Sequence, residues 1–101
     1  MWLFLSDGFI SVVADEADKT QLLVRARRPD GIGKLFPKAK VITTPDADYR
    51  YRAFVKRKEV AKVIADQLLN VQYHNFKDSV MNAELHDAYM YVWCEMRKLQ
   101  R

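Results

Sequence analysis

A chain of 101 residues that is 50% apolar and 30% charged, with three Gly and three Pro, has the composition of a folded domain, which excludes a disordered tail and a fibrous repeat. A single cysteine, Cys94, excludes an internal disulfide framework and suits a reducing setting, so a cytoplasmic location is expected. The net charge of +4 is unevenly spread: residues 1–18 carry −4, residues 19–62 carry +9 and residues 63–101 carry −1.

Met1 to Leu5 are apolar but too few for a signal segment, and no run approaches the roughly 20 apolar residues of a membrane span. No integral membrane protein is expected. Trp2 to Leu5 and Phe9 to Ala14 read as strands joined by Asp7-Gly8, a dipeptide suited to a tight hairpin turn. The acidic stretch Asp15-Glu16-Ala17-Asp18 makes the next turn. Thr20 to Arg27 then alternates, with Leu22, Val24 and Ala26 on one side and Leu23, Arg25 and Arg27 on the other.

Pro29-Asp30-Gly31 supplies breaker and capping chemistry before Ile32, Leu35 and Phe36, whose spacing predicts a short helix ended by Pro37. Val41 to Thr44 reads as a brief extended segment and Pro45-Asp46-Ala47-Asp48 as a turn. Over Tyr49 to Lys56 the alternation returns: Tyr49, Tyr51, Ala53 and Val55 oppose Arg50, Arg52, Phe54 and Lys56. From Arg57 the period becomes helical, with Val60, Val63, Ile64 and Leu68 sharing a face. Val71 to His74 is a linker and Asn75 caps a turn over Phe76 to Val80. Asn82 caps a final helix whose Leu85, Tyr89, Val92, Met96 and Leu99 recur at heptad spacing.

The order β-β-β-α-β-α-α predicts one α+β domain over residues 1–101, an antiparallel sheet of about four strands with helices packed on one face. If the strands at Thr20–Arg27 and Tyr49–Lys56 are neighbours, Arg25, Arg27, Arg50 and Arg52 share an open face with Phe54. Guanidinium groups pair with phosphate or carboxylate and stack on rings, so such a face suits nucleic acid or an acidic protein surface. A charged, half-exposed sheet tied to Asp15, Glu16, Asp46 or Asp48 is the competing reading. Lys56, Arg57 and Lys58 form a second basic cluster at a helix start, where cations oppose the helix dipole.

No catalytic or metal site is predicted, and no cofactor. Gly31-Ile32-Gly33-Lys34 lacks the glycine spacing and the Ser or Thr of a phosphate-binding loop. Two histidines, His74 near Asp78 and His86 near Asp87, with one cysteine do not make a closed zinc set. Cys94 reads as a small buried hydrophobe. An unrecognised acid-base site among Asp46, Asp48, His74 and Asp78 is the enzymatic alternative. Met90, Trp93 and Arg97 form a second stripe on the last helix, a candidate interface for a host protein or for a second copy in a homodimer.

Thr44-Pro45-Asp46-Ala47-Asp48-Tyr49-Arg50-Tyr51-Arg52-Ala53-Phe54-Val55, followed by Asn75-Phe76-Lys77-Asp78, resembles a pattern in small uncharacterised bacterial and bacteriophage proteins. That resemblance implies such a source and carries over no functional residue. It brings in one further expectation, a phage-type inhibitor of host defence of the anti-CRISPR kind, docking on a host complex that processes nucleic acid. The leading expectation is a non-enzymatic binding protein that engages a polyanion through its arginine-rich strands.

Overall fold

The computed structural model describes residues 1–100, and the backbone holds five strands and two α-helices. The strands are β1 (Trp2–Leu5), β2 (Gly8–Ala14), β3 (Gln21–Ala26), β4 (Ile42–Thr43) and β5 (Tyr51–Lys56), and the helices are α1 (Arg57–Leu69) and α2 (Ala83–Arg97). One sheet takes the order β1-β2-β3-β5-β4. The pairs β2–β3, β3–β5 and β4–β5 are antiparallel. The α+β class predicted from the sequence is observed, with the strands and the two long helices in the predicted order; the segment before Pro45 adds a fifth strand by pairing with β5, and the short helix expected before it is replaced by turns.

The chain divides into two compact units: Met1–Leu3 with Phe9–Val71, and Phe4–Gly8 with the residues from Gln72 onward. In the first unit, one face of the sheet supplies Ile10 and Val12 from β2, Val24 and Ala26 from β3, and Ala53 and Val55 from β5. Val60 of α1 closes on these residues, with Val63 and Ile64 packed beside it. Removal of such side chains from water is the main favourable term, about 25 cal/mol per Å². The period-2 alternation therefore fixes which face each side chain takes.

Two local features depart from the sequence reading. The hairpin turn is Ser6-Asp7, and Gly8 is already in β2. Among the described residues no glycine has a positive φ, so glycine's conformational freedom is not what shapes this turn. Residues 29–35 form successive turns in place of a helix. The Phe36 amide donates to the Ile32 carbonyl at 2.8 Å, but Pro37 lacks an N–H to extend the ladder and one turn is all that forms. Ile32 and Phe36 are fully buried and anchor this segment in the core.

In the second unit, Val80, Leu85 and Tyr89 are buried. The Tyr89 ring stacks with Phe76 at 5.5 Å and meets the edge of Phe4 at 5.3 Å, while its hydroxyl donates to the Leu5 carbonyl at 3.0 Å. The Asn82 Oδ1 accepts from the Leu85 amide at 2.9 Å, as predicted for the cap of α2. The far end of the predicted heptad stripe is not covered, since Val92, Met96 and Leu99 are 37%, 59% and 71% exposed.

Candidate functional site

Register decides what the arginine-bearing strands present. In the β3–β5 pair Arg25 stands opposite Arg52, Leu23 opposite Phe54 and Gln21 opposite Lys56. Across β2, Ser11 stands opposite Arg25 and Val13 opposite Leu23. Across β4, Ile42 stands opposite Arg52. Alternation places all of these on the sheet face opposite Val24 and Ala53. This second face reads as rows: Ser11, Arg25, Arg52 and Ile42; then Val13, Leu23 and Phe54; then Gln21 and Lys56.

Each arginine in the first row has a neutral partner. Arg25 Nη2 donates to the buried Ser11 hydroxyl at 2.8 Å, and its guanidinium lies 4.5 Å from the Tyr49 ring centroid. Arg25 Nε is enclosed without a hydrogen-bond partner. Arg52 Nε donates to the Tyr49 carbonyl at 3.2 Å. Arg27, one residue past β3, lies 4.2 Å from the same ring and pairs with Asp48 at 3.1 Å. Thus Tyr49 organises three guanidinium groups, two by its ring and one by its carbonyl.

The predicted alternation over Tyr49 to Lys56 holds only from Tyr51. Residues 47–50 form a bend, so Tyr49 turns to the arginine face instead of lying on the side of Tyr51 and Ala53. Arg50 falls in that bend; it is exposed, and its carbonyl accepts from the Thr44 amide at 2.7 Å. The strands bring Arg25 and Arg52 together with Phe54 and Lys56, whereas Arg27 and Arg50 lie beyond the strand ends. Arg27 also fits the competing reading, because its charge is answered by an acid of its own chain.

Arg57 and Lys58 open α1, and Lys56 is its N-cap residue without a side-chain capping bond. Arg57 donates through Nε to the Lys19 carbonyl at 3.1 Å, and its amide donates to the Thr20 carbonyl at 2.8 Å. Thr20, Lys56, Arg57, Lys58 and Glu59 line an open concavity of about 570 Å³. The acidic turn reaches this cluster. Asp18 Oδ1 accepts from the Thr20 hydroxyl at 2.6 Å and from its amide at 2.8 Å. These bonds, with the Lys56 charge as a smaller contribution, hold the Asp18 carboxyl below its ordinary pKa.

Family models, curated proteins and solved structures offer no match to this chain.

The other predicted groups lie elsewhere. Asp46, His74 and Asp78 are exposed, and the exposed Asp48 is engaged by Arg27. His86 Nδ1 lies 3.5 Å from Asp87. Among the described residues no group of three His, Cys, Asp or Glu is placed to hold a metal ion, and no helix is long and apolar enough to cross a membrane. Lys34 pairs with Asp30 at 3.2 Å within the turns. Cys94 is exposed, which corrects the expectation of a buried thiol; it falls on the outward side of α2, away from Leu85 and Tyr89. On the same helix Met90 is half-buried, and the Trp93 ring takes Lys77 Nζ at 4.5 Å and the Arg97 guanidinium at 5.3 Å.

Sequence reasoning missed Ser11 and Tyr49. Ser11 was visible as the one hydroxyl within the apolar run Phe9 to Val13, on the parity opposite Ile10 and Val12. Tyr49 had no such signal, because the bend that redirects it follows from the three-dimensional path.

Proposed function

We propose that this chain is a non-enzymatic binding module that engages nucleic acid through the basic sheet face of β3 and β5. The observation that carries this reading is the Arg25–Arg52 register. Like charges directly opposite on adjacent strands are destabilising. Among the described residues both guanidinium groups are met by neutral atoms only, a hydroxyl, a ring and a carbonyl. The positive field is left uncompensated, and a phosphate seated there relieves it by charge-assisted hydrogen bonds. Lys56 continues the charge along β5 and joins it to Arg57 and Lys58.

The test is the salt dependence of binding to an oligonucleotide. Affinity falls linearly in a log-log plot by about 0.7 per phosphate contacted on a single strand and about 0.9 on duplex. Replacement of Arg52 and Lys56 together by Ala reduces the single-strand slope by about 1.4 if each contacts one phosphate. Binding that ignored both salt and these substitutions would sink the proposal.

A second reading rests on the exposed Val92 and Met96 of α2 and Leu99 just beyond its end: docking on a host protein, in the manner of a phage-type inhibitor, with Met90, Trp93 and Arg97 alongside. Such docking survives moderate salt and weakens on Trp93→Ala.

A further inference from the structure

Phe54 is 48% exposed although its cross-strand neighbour Leu23 is half-buried. It stands on the same face as Arg52 and Lys56, two residues from each along β5. At about 3.4 Å per residue, the two cations are roughly 13 Å apart with the ring midway between them. An exposed ring flanked on both sides by cations does not suit a second copy of this chain, which would bring like charges together. It suits an anionic partner that also carries flat apolar faces.

Nucleic acid has both, but only when its bases are accessible. A five-stranded sheet with neighbours about 4.8 Å apart is close to 20 Å wide. The major groove of a duplex is about 12 Å wide, so this face cannot enter it. Phe54 pairs with Leu23 of β3, whereas β4 reaches only Tyr51 and Arg52 of β5; the ring stands on the broad face of the sheet and does not extend from its open edge. On a duplex the face touches phosphates only, and the base faces stay hidden in the stack. On a single strand an unstacked base covers the ring while the adjoining phosphates meet the cations.

We infer that Phe54 is a base-stacking platform that makes this surface selective for single-stranded nucleic acid, with the flanking phosphates held by Arg52 and Lys56. This rests on the proposed nucleic-acid reading of the same face. Leu23 and Val13 continue the row of Phe54 across the face, and Arg25 adds charge beside Arg52.

The experiment compares three probes with the full chain by fluorescence anisotropy or by competition: a labelled oligothymidylate, a duplex of equal length, and inorganic polyphosphate, which has charge but no bases. The wild type is expected to bind all three and to prefer the oligothymidylate. Phe54→Ala weakens oligothymidylate binding by roughly ten-fold, within the range for loss of one base–aromatic stack, and leaves polyphosphate binding unchanged. Phe54→Tyr, which keeps a π-face, restores the preference, and circular dichroism of each variant verifies the fold. If Phe54→Ala is folded and binds oligothymidylate as well as the wild type while Arg52→Ala weakens it, the stacking inference is overturned and the polyanion reading stands. If the wild type binds none of the three probes, both are overturned. Equal loss of oligothymidylate and polyphosphate binding in folded Phe54→Ala also overturns the stacking role, because the ring would then be acting on the cations.

Discussion

Arg25 and Arg52 stand directly opposite one another on adjacent antiparallel strands, and among the described residues neither meets a carboxylate. A like-charged cross-strand pair costs about 0.2–1 kcal/mol relative to a neutral one. Arg52→Glu converts it into an ion pair but gives up the Arg52 bond to the Tyr49 carbonyl, worth about 0.5–1.5 kcal/mol. The two effects oppose, so stability measured by denaturant unfolding should change by less than about 1 kcal/mol. Oligonucleotide affinity at low salt should fall by at least about ten-fold, since one phosphate contact is lost and a repelling charge is gained. A stable fold with lost binding separates a recognition surface from a merely structural one.

Tyr49 places the guanidinium groups. Its ring meets Arg25 and Arg27, and each such cation–π contact contributes about 0.5–2 kcal/mol depending on desolvation. Tyr49→Leu keeps an apolar filler but removes both contacts. The expected loss is about 2–3 kcal/mol in urea unfolding, with weaker oligonucleotide binding as the arginines lose their support. Tyr49→Phe, which retains the ring, should keep most of both. Equal losses in the two variants would show that the ring contacts are immaterial.

The sheet was legible because its signal is local. Leu22, Val24 and Ala26 of β3, and Ala53 and Val55 of β5, alternate with Leu23, Arg25, Phe54 and Lys56, and burial then selects the face. Arg25 and Arg52 could be placed on a common face for the same reason, whereas Arg27 and Arg50 lie beyond the strand ends. What depended on tertiary path was not legible. The bend at residues 47–50 turns Tyr49 over to the arginines, an arrangement that alternation alone assigns to the other side. Pro37 cut short the helix expected after Gly31, and of the three apolar residues that suggested it, Ile32 and Phe36 are fully buried. On α2 the heptad pattern was real in sequence, yet apolar spacing says only which residues share a stripe, and Met96 and Leu99 lie on the part of it that stays uncovered.

The two glycines of Gly31-Ile32-Gly33-Lys34 should behave oppositely. A Cβ on Gly31 falls 2.9 Å from the Ala26 Cβ and 3.4 Å from the Arg28 carbonyl oxygen. Neither neighbour is a flexible side-chain end, so Gly31→Ala forces backbone movement, an overpacking effect of about 1–3 kcal/mol. A Cβ on Gly33 meets nothing within 4 Å, and its φ is not positive. Gly33→Ala should therefore be neutral or stabilising by up to about 1 kcal/mol through the unfolded chain. Thermal unfolding of the two variants checks the contrast. It also tests the segment as a plain turn, because a phosphate cradle would lose ligand affinity on Gly33→Ala whatever the stability.

Asp18 links the acidic turn to the basic surface and makes the protein sensitive to acid there. Two hydrogen bonds from Thr20 and, to a smaller extent, the Lys56 charge keep its carboxyl below the ordinary aspartate value. A depressed folded-state pKa means that the folded form holds the proton less tightly than the unfolded chain does. The contribution to stability is therefore fully present above the unfolded value of about 3.9 and is lost as pH falls through the folded value. Asp30 is lowered in the same direction, chiefly by Lys34, so bulk unfolding cannot separate the two. A residue-resolved NMR titration can: the Thr20 amide should shift with an apparent pKa below that of an unstructured aspartate, and the Lys56 side chain should follow it. Asp18→Asn keeps an oxygen acceptor for Thr20 and removes the charge beside Lys56. At neutral pH it should raise oligonucleotide affinity by about two-fold, the scale of one screened surface charge interaction, with the gain fading as salt increases. An unchanged affinity in that variant would mean that Lys56 does not take part in binding.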